Sequence, residues 1–208
     1  MYKIYGFTSF NPLKVVATAE ELGLEYEYQH MDLGKRENHE PEHLARHPFG
    51  KVPVLEHEGN CLFESASICR YLARVNGDRL YTTDPLQAAK IDQIMDTMSL
   101  HIGRWLAVHF WEEVVVPKYM QQESNAKLLD EAKGWLTKQL PYVDKVLGSG
   151  TYLCGGELTI ADTFAFAYFT IHETTSVSLD EYPNLDRWYK QLNERPTFQK
   201  ALSVVSPK

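Results

Sequence analysis

A small α/β unit followed by an all-helical unit is the architecture that this sequence predicts. Three observations carry the expectation. Short β-prone runs alternate with helical patterns over residues 1–76. Strands vanish beyond Asn76-Gly77-Asp78, and the remainder of the chain holds helix-period segments one after another. The order in the first part is β-α-β, an irregular link, then β-β-α. The expected limits are 1–77 for the α/β domain, 78–85 for a linker and 86–208 for the helical domain.

Each element follows from its residues. Lys3-Ile4-Tyr5-Gly6-Phe7 is a β-prone run ended by small polar residues. After Pro12, Leu13, Val16, Ala17, Ala19 and Leu22 recur at helical spacing, with Gly23 placed to cap the C-terminus. Tyr26 to Leu33 is β-rich again. Pro53-Val54-Leu55-Glu56-His57 and Cys61-Leu62-Phe63 flank Glu58-Gly59-Asn60 and predict an antiparallel hairpin. Ala66 to Val75 is helical, with Ile68, Tyr71 and Leu72 on one face. Residues 86–120 form one long helical pattern through Ile91, Ile94, Met95, Met98, Ile102, Leu106 and Phe110. Residues 126–147 repeat the idea with Leu128, Leu129, Ala132, Leu136, Leu140 and Val143, and two further helices are expected over 160–173 and 184–193.

Composition narrows the function. The chain has 208 residues, enough for two small domains, and is 44% hydrophobic, enough for packed cores. Its 21 Lys+Arg against 28 Asp+Glu leave a net charge of −7, which repels phosphate backbones and argues against a nucleic-acid partner. The 3 cysteines, Cys61, Cys69 and Cys154, have neither metal-ligand nor redox spacing, so a disulfide framework is not expected and the cytosol is the natural compartment. The opening MYKIYGFTSFNPLKV lacks the uninterrupted apolar stretch of a signal peptide. No apolar run approaches the roughly 18–20 residues of a membrane span, so no membrane partner is expected.

Three constellations bear on chemistry. In Ser9-Phe10-Asn11-Pro12-Leu13-Lys14-Val15 a strand runs into a turn and a helix starts near Pro12. Ser9 or Asn11 is then either a plain N-cap or a group that shares the helix N-terminus with a bound anion. In His47-Pro48-Phe49-Gly50-Lys51-Val52-Pro53, Pro53 either simply opens a strand or forms a cis bond that presents the Val52 backbone to an extended peptide. In Phe63-Glu64-Ser65, Ser65 caps the next helix, or the pair holds the charged head of a ligand, the helix end taking a carboxylate and Glu64 an ammonium.

Together these segments, at this spacing, resemble the cytosolic glutathione transferases, nearest the serine-type phi- and theta-like branches and related bacterial enzymes. The likeness spans nearly the whole chain and includes Thr159-Ile160-Ala161-Asp162, a capping box in which Asp162 is a folding residue. It implies a thioredoxin-like N-terminal domain, an all-α C-terminal domain, a homodimer, no cofactor and no metal, with glutathione as co-substrate and a small hydrophobic electrophile as its partner. By the same resemblance Ser9 hydrogen-bonds the glutathione sulfur and Asn11 makes a second contact to it. Lys51 and Val52 pair with the tripeptide backbone, with a cis bond at Pro53, and Glu64 and Ser65 hold the γ-glutamyl end. The chain departs from the phi-like pattern at the His-Lys pair that reaches the glycine carboxylate. Counting back from Pro48 places Asn38 and His39 there, so His39 and Lys51 are the candidates.

Rival assignments are few. Tyr5 lies inside a strand and reads as packing, and Thr8 is the neighbouring hydroxyl that would replace Ser9 if the register differed by one. No cysteine stands near residue 9, which disfavours disulfide reduction. His39-Glu40-Pro41-Glu42-His43 fits the zinc pattern HExxH only formally, because Pro41 opposes a helix through it. A serine hydrolase would need a Gly-x-Ser-x-Gly elbow, which is missing. The electrophile is expected against Phe7 and Phe10 beside Ser9 and against Trp105, His109 and Phe110 of the long helix, where His101, Trp105 and His109 form one stripe. The same stripe also fits a core and interface role. Conjugation or peroxide reduction by the activated sulfur is the expected activity, and a catalytically silent binding or scaffold protein on the same fold is the alternative.

Overall fold

The computed structural model describes residues 1–206. The chain divides into two units, one made of Met1–Thr83 together with the C-terminal segment from Asn193, the other of Asp84–Leu192.

The first unit is built on a four-stranded sheet of order β2-β1-β3-β4. Strands β1 (Tyr2–Gly6) and β2 (Tyr26–His30) are parallel, while β3 (Val54–His57) runs antiparallel to β1 and pairs with β4 (Asn60–Phe63) as a hairpin. Its two-residue turn, Glu58 and Gly59, has both φ values positive at 51° and 76°, which suits the right-handed twist of the strands. Side chains alternate across the sheet. Ile4 and Leu55, paired in register, are fully buried on one face, and Tyr5, Val54 and Met31 cluster on the other with Leu33 and Val52.

Helix α1 (Phe10–Leu22) packs against α3 (Ser65–Val75) and ends at Gly23 in the left-handed conformation, as its sequence predicts. The link between β2 and β3, expected to be irregular, holds a 3-10 turn at Glu37–His39 and a short helix, α2 (Pro41–Arg46). Pro41 is the first residue of α2, where its missing N–H costs nothing.

The second unit is helical throughout its regular structure. The pattern read as one helix over 86–120 is α4 (Pro85–Thr97), a π-helical segment Met98–Ile102, α5 (Gly103–Phe110) and a second π segment Trp111–Met120. A Cβ on Gly103 would lie 2.4 Å from both the Met98 carbonyl oxygen and the Tyr168 ring, so close packing and the wide turn require glycine there. The extra residue per turn also breaks the expected stripe, leaving His101 exposed while Trp105 and His109 are buried. Helices α6 (Ala126–Gly148), α7 (Ile160–Phe169) and α8 (Pro183–Asn193) follow, and all of α7 is buried.

Asp162 anchors that buried helix. Completely buried, it accepts bonds from Leu153 N–H at 2.9 Å and Trp188 Nε1–H at 3.0 Å, and from the Thr159 N–H at 2.9 Å and hydroxyl at 3.1 Å. Burial pushes its carboxyl above the ordinary range, and these donors oppose that shift.

A last helix, α9 (Pro196–Val205), has no counterpart in the elements expected from sequence and packs on α1 in the first unit. Arg195 donates two bonds of 2.9 Å to Glu21, and Lys200 lies 2.8 Å from Glu20. Residues 12–20 of α1 are all buried, the charged Lys14 and Glu20 among them. Among the described residues no helix is long and apolar enough to cross a membrane.

Candidate functional site

The N-terminus of α1 is the first part of the site. Ser9 occupies the N-cap position in extended conformation, yet its side chain makes no capping hydrogen bond. The hydroxyl therefore stands beside amides that the helix leaves orphaned. Thr8, the rival hydroxyl, is committed elsewhere, since its Oγ1–H donates to the Val205 carbonyl at 3.0 Å. Tyr5 is committed too, donating to Glu56 at 2.8 Å, in keeping with a packing role.

Lys14 belongs to the Ser9, Asn11 and Lys14 spacing that carries the resemblance, but sequence alone assigns it no role. Lys14 is only 1% exposed, and its Nζ donates to Asn11 Oδ1 at 2.8 Å while lying 5.3 Å from the Phe10 ring centre. Burial pushes its ammonium well below the usual lysine range, and nearby Cys69 and Glu64 oppose that shift. With its oxygen held by the Lys14 amino group, the Asn11 carboxamide has its Nδ2–H donors left for another partner.

The second part is the loop before β3. Gly50 has a φ of +59°, and a Cβ on it would meet the Asn38 carbonyl oxygen at 2.6 Å and His39 Nδ1 at 3.3 Å. Asn38 Nδ2–H donates to the Gly50 carbonyl at 2.6 Å, and buried His43 donates through Nε2 to the Lys51 carbonyl at 2.9 Å. The link thus holds the Gly50 and Lys51 carbonyls and sets His39 beside this loop, with His39 and Lys51 both exposed. The Val52–Pro53 bond is cis, and Val52 lies just outside the β1–β3 ladder. His39 belongs to the 3-10 turn and His43 to α2, so the HExxH residues do not share one helical face.

The third part is the start of α3. Glu64 is the N-cap residue, exposed and without a side-chain capping bond, and its φ of 67° with ψ of 108° is unusual for a residue bearing a Cβ. Such backbone costs on the order of 1–3 kcal/mol and persists where surrounding structure holds it. Ser65 is the first helical residue, half-buried. Glu64 lies near enough to Lys14 to favour that residue's charge, which ties this corner to the start of α1. The first unit therefore holds a hydroxyl without a cap bond at one helix N-terminus, a carboxylate at another, and the exposed His39 and Lys51 beside or within the loop before β3.

Phe7 and Phe10 flank Ser9, both half-buried, with Phe7 tilted on His30 at 5.6 Å. The aromatic candidates of the second unit are distributed differently. Trp105 stacks on Trp135 with ring centres 6.0 Å apart, His109 bonds Glu113 at 2.6 Å, and Phe110 is half-buried.

Comparison with known proteins follows the same division. Residues 1–74 match the glutathione S-transferase N-terminal domain and residues 106–196 its C-terminal domain. The probable glutathione S-transferase GSTF2 of Oryza sativa subsp. japonica is 33% identical over 99% of this chain and 97% of its own length. The solved structure of glutathione S-transferase I from mais, in complex with an atrazine glutathione conjugate, superposes with a TM-score of 0.91 at 30% identity, covering 100% of this chain and 99% of that one. Elongation factor 1-gamma of Prunus avium is also similar, 32% identical over 96% of this chain but only 47% of its own length. With a third of its residues shared along nearly the whole of a relative, and both domains matched in order, this chain belongs to the glutathione S-transferase family.

Proposed function

We propose that this chain is a glutathione transferase in which Ser9 donates a hydrogen bond to the glutathione thiolate, and the sulfur then attacks a hydrophobic electrophile. The observation that carries the reading is the Ser9 hydroxyl, unused as a cap at a helix N-terminus while its neighbour Thr8 is spoken for. Asn11 is the second donor to sulfur, aimed by Lys14. Lys51 and Val52 pair with the tripeptide backbone beside cis Pro53, His39 and Lys51 meet the glycine carboxylate, and Glu64 and Ser65 hold the γ-glutamyl ammonium and carboxylate. The electrophile lies against Phe7 and Phe10 on this unit.

The magnitudes close. A free thiol has a pKa near 8.5, so only a few per cent is thiolate at neutral pH. Lowering it by about two units takes about 2.7 kcal/mol. One hydrogen bond to a charged acceptor supplies about 1.5–3 kcal/mol, and a helix N-terminus adds about 0.3–1 kcal/mol. Ser9 with the α1 amides is sufficient, and no general base is required, because Ser9 stabilises the anion without taking its proton. The same activated sulfur would reduce peroxides.

We also infer a homodimer. Phe49 is 69% exposed and Phe63 is exposed beside it, both rings packed on His47 at 6.0 and 4.7 Å. Exposed aromatic groups of this kind mark interfaces.

The test is a pH titration of the ultraviolet thiolate absorbance of bound glutathione, in wild type and Ser9→Ala. A depressed pKa that rises in the variant is the expected result. Binding with no shift in either protein favours the second reading, a silent scaffold, for which the elongation-factor relative is the motivating observation. No binding at all removes the glutathione reading.

A further inference from the structure

Helix α2 reaches the loop before β3 through one buried side chain. His43 is 1% exposed, and its Nε2 lies 2.9 Å from the Lys51 carbonyl oxygen. That oxygen can only accept, so Nε2 carries a proton whatever the state of the other ring nitrogen. Nδ1 is buried and makes no hydrogen bond. Leaving it so costs stability, and packing against the Tyr5 ring, edge to face at 6.3 Å, would be served as well by an apolar side chain. What an apolar side chain could not supply is the Nε2–H bond to Lys51.

The effect of that bond follows from the geometry of one peptide. The cis bond lies at Val52–Pro53, and the Lys51–Val52 peptide before it is trans and planar, so its C=O and N–H point in opposite directions. Fixing the Lys51 carbonyl toward α2 therefore aims the Val52 N–H away from α2. Among the described residues that N–H has no backbone partner, since Val52 lies outside the β1–β3 ladder. A hydrogen bond to the carbonyl also polarises the N–H of the same peptide and strengthens it as a donor.

Asn38 holds the preceding carbonyl, its Nδ2–H donating to Gly50 at 2.6 Å. The Gly50 carbonyl, however, shares its peptide with the Lys51 N–H. Only the Lys51 carbonyl shares one with the Val52 N–H, so His43 and not Asn38 sets the direction of that donor. We propose that His43 is a positioning residue for glutathione, its Nε2–H orienting the Lys51–Val52 peptide so that the Val52 N–H meets the peptide backbone of the bound thiol. This rests on the pairing of Val52 with the tripeptide proposed above. Because His43 acts through that peptide and not on the sulfur, it governs affinity and leaves thiol activation to Ser9.

The test is calorimetric titration of the full chain with glutathione in wild type, His43→Met, His43→Asn and His43→Gln, together with the thiol pKa of the bound glutathione and the ¹⁵N amide resonance of Val52. His43→Met removes the donor, and His43→Asn keeps an amide that is too short to reach Lys51. Each should weaken glutathione binding about fivefold or more at unchanged stoichiometry, so the test stands if one of the two does not fold. His43→Gln, whose amide N–H can stand in for Nε2–H, should return affinity to within about twofold of wild type. The thiol pKa should be the same in all four proteins. Glutathione should move the Val52 resonance in wild type, and move it less in His43→Met. Wild-type affinity in His43→Met and His43→Asn, equal loss in His43→Gln, or a thiol pKa that follows the substitutions would overturn the positioning role alone. Glutathione binding to wild type with the Val52 resonance unmoved would instead remove the Val52 pairing, and this proposal with it.

Discussion

Ser9 and Thr159 each place a hydroxyl at the N-cap of a buried helix, and the two hydroxyls have opposite fates. Thr159 is closed into a reciprocal network with Asp162, which also gathers Leu153 and Trp188. Ser9 has the same residue class at the same helical position and makes no cap bond. The Thr159 end is complete within its own unit, whereas the Ser9 end keeps a hydroxyl uncommitted as a cap beside Asn11 and Lys14. A cap that closes on itself stabilises a fold, and one that stays unclosed can hold an anion. The local sequence signal for the two is the same.

That contrast can be broken at several points. Asp162→Ala should have the largest effect, because it strips four donated bonds from a fully buried site. A loss of roughly 3–5 kcal/mol is expected, measured as a lowered urea midpoint, or failure to fold at all. A stability unchanged within about 0.5 kcal/mol would mean that the network is not structural. Ser9→Ala should do the reverse. Conjugation of glutathione to a model electrophile should fall tenfold or more (~1.4 kcal/mol), while the urea midpoint stays put.

Lys14→Met should raise the thiol pKa of bound glutathione by less than Ser9→Ala does, and Lys14→Arg should restore part of the shift. A KM that changes while the thiol pKa holds would instead make Lys14 a packing residue only. Thr8→Val should alter turnover least, by under about threefold, because that hydroxyl belongs to the α9 contact. A loss matching that of Ser9→Ala would move the thiol-activating role to Thr8.

The second unit supplies a pH-dependent test of its own. Burial would raise the Glu113 carboxyl, but bonds from His109 and from the Ser176 N–H and hydroxyl hold it below its ordinary range, so it contributes stability that is present above the unfolded carboxylate pKa of about 4.3 and is lost as pH falls through the lower folded value. Glu113→Gln should therefore flatten the acid limb of the stability curve below about pH 5. An unchanged acid limb would show that the His109 and Ser176 bonds add nothing to folding.

Much of this was legible along the chain. Strong periodicity placed α1, α3, α6 and the hairpin to within a residue or two, since turn and cap residues such as Gly23 and Glu58-Gly59 have local causes. The Thr159–Asp162 box was legible for the same reason, its partners lying three residues apart. Three things were not. Helix α9 went unseen because it is short and its docking charges, Arg195 and Lys200, find Glu21 and Glu20 only across the fold. Helix α2 hid behind Pro41, which reads equally as a break or a start. The π segments changed the face of a helix whose apolar periodicity suggested a regular one, so Trp105 and His109 separated from His101.

What the sequence determined by itself is the order of the four strands and the main helices, the two-part architecture and the spacing of Ser9, Pro53 and Glu64-Ser65. These follow from backbone sterics and hydrophobic period, which act over a few residues. The tertiary structure alone decided which hydroxyl is used and which is spare, that Lys14 lies buried against Asn11, and that His109 lies buried and bonded to Glu113. Each depends on what arrives from far along the chain to satisfy or to leave a polar group, and burial makes that difference energetically large.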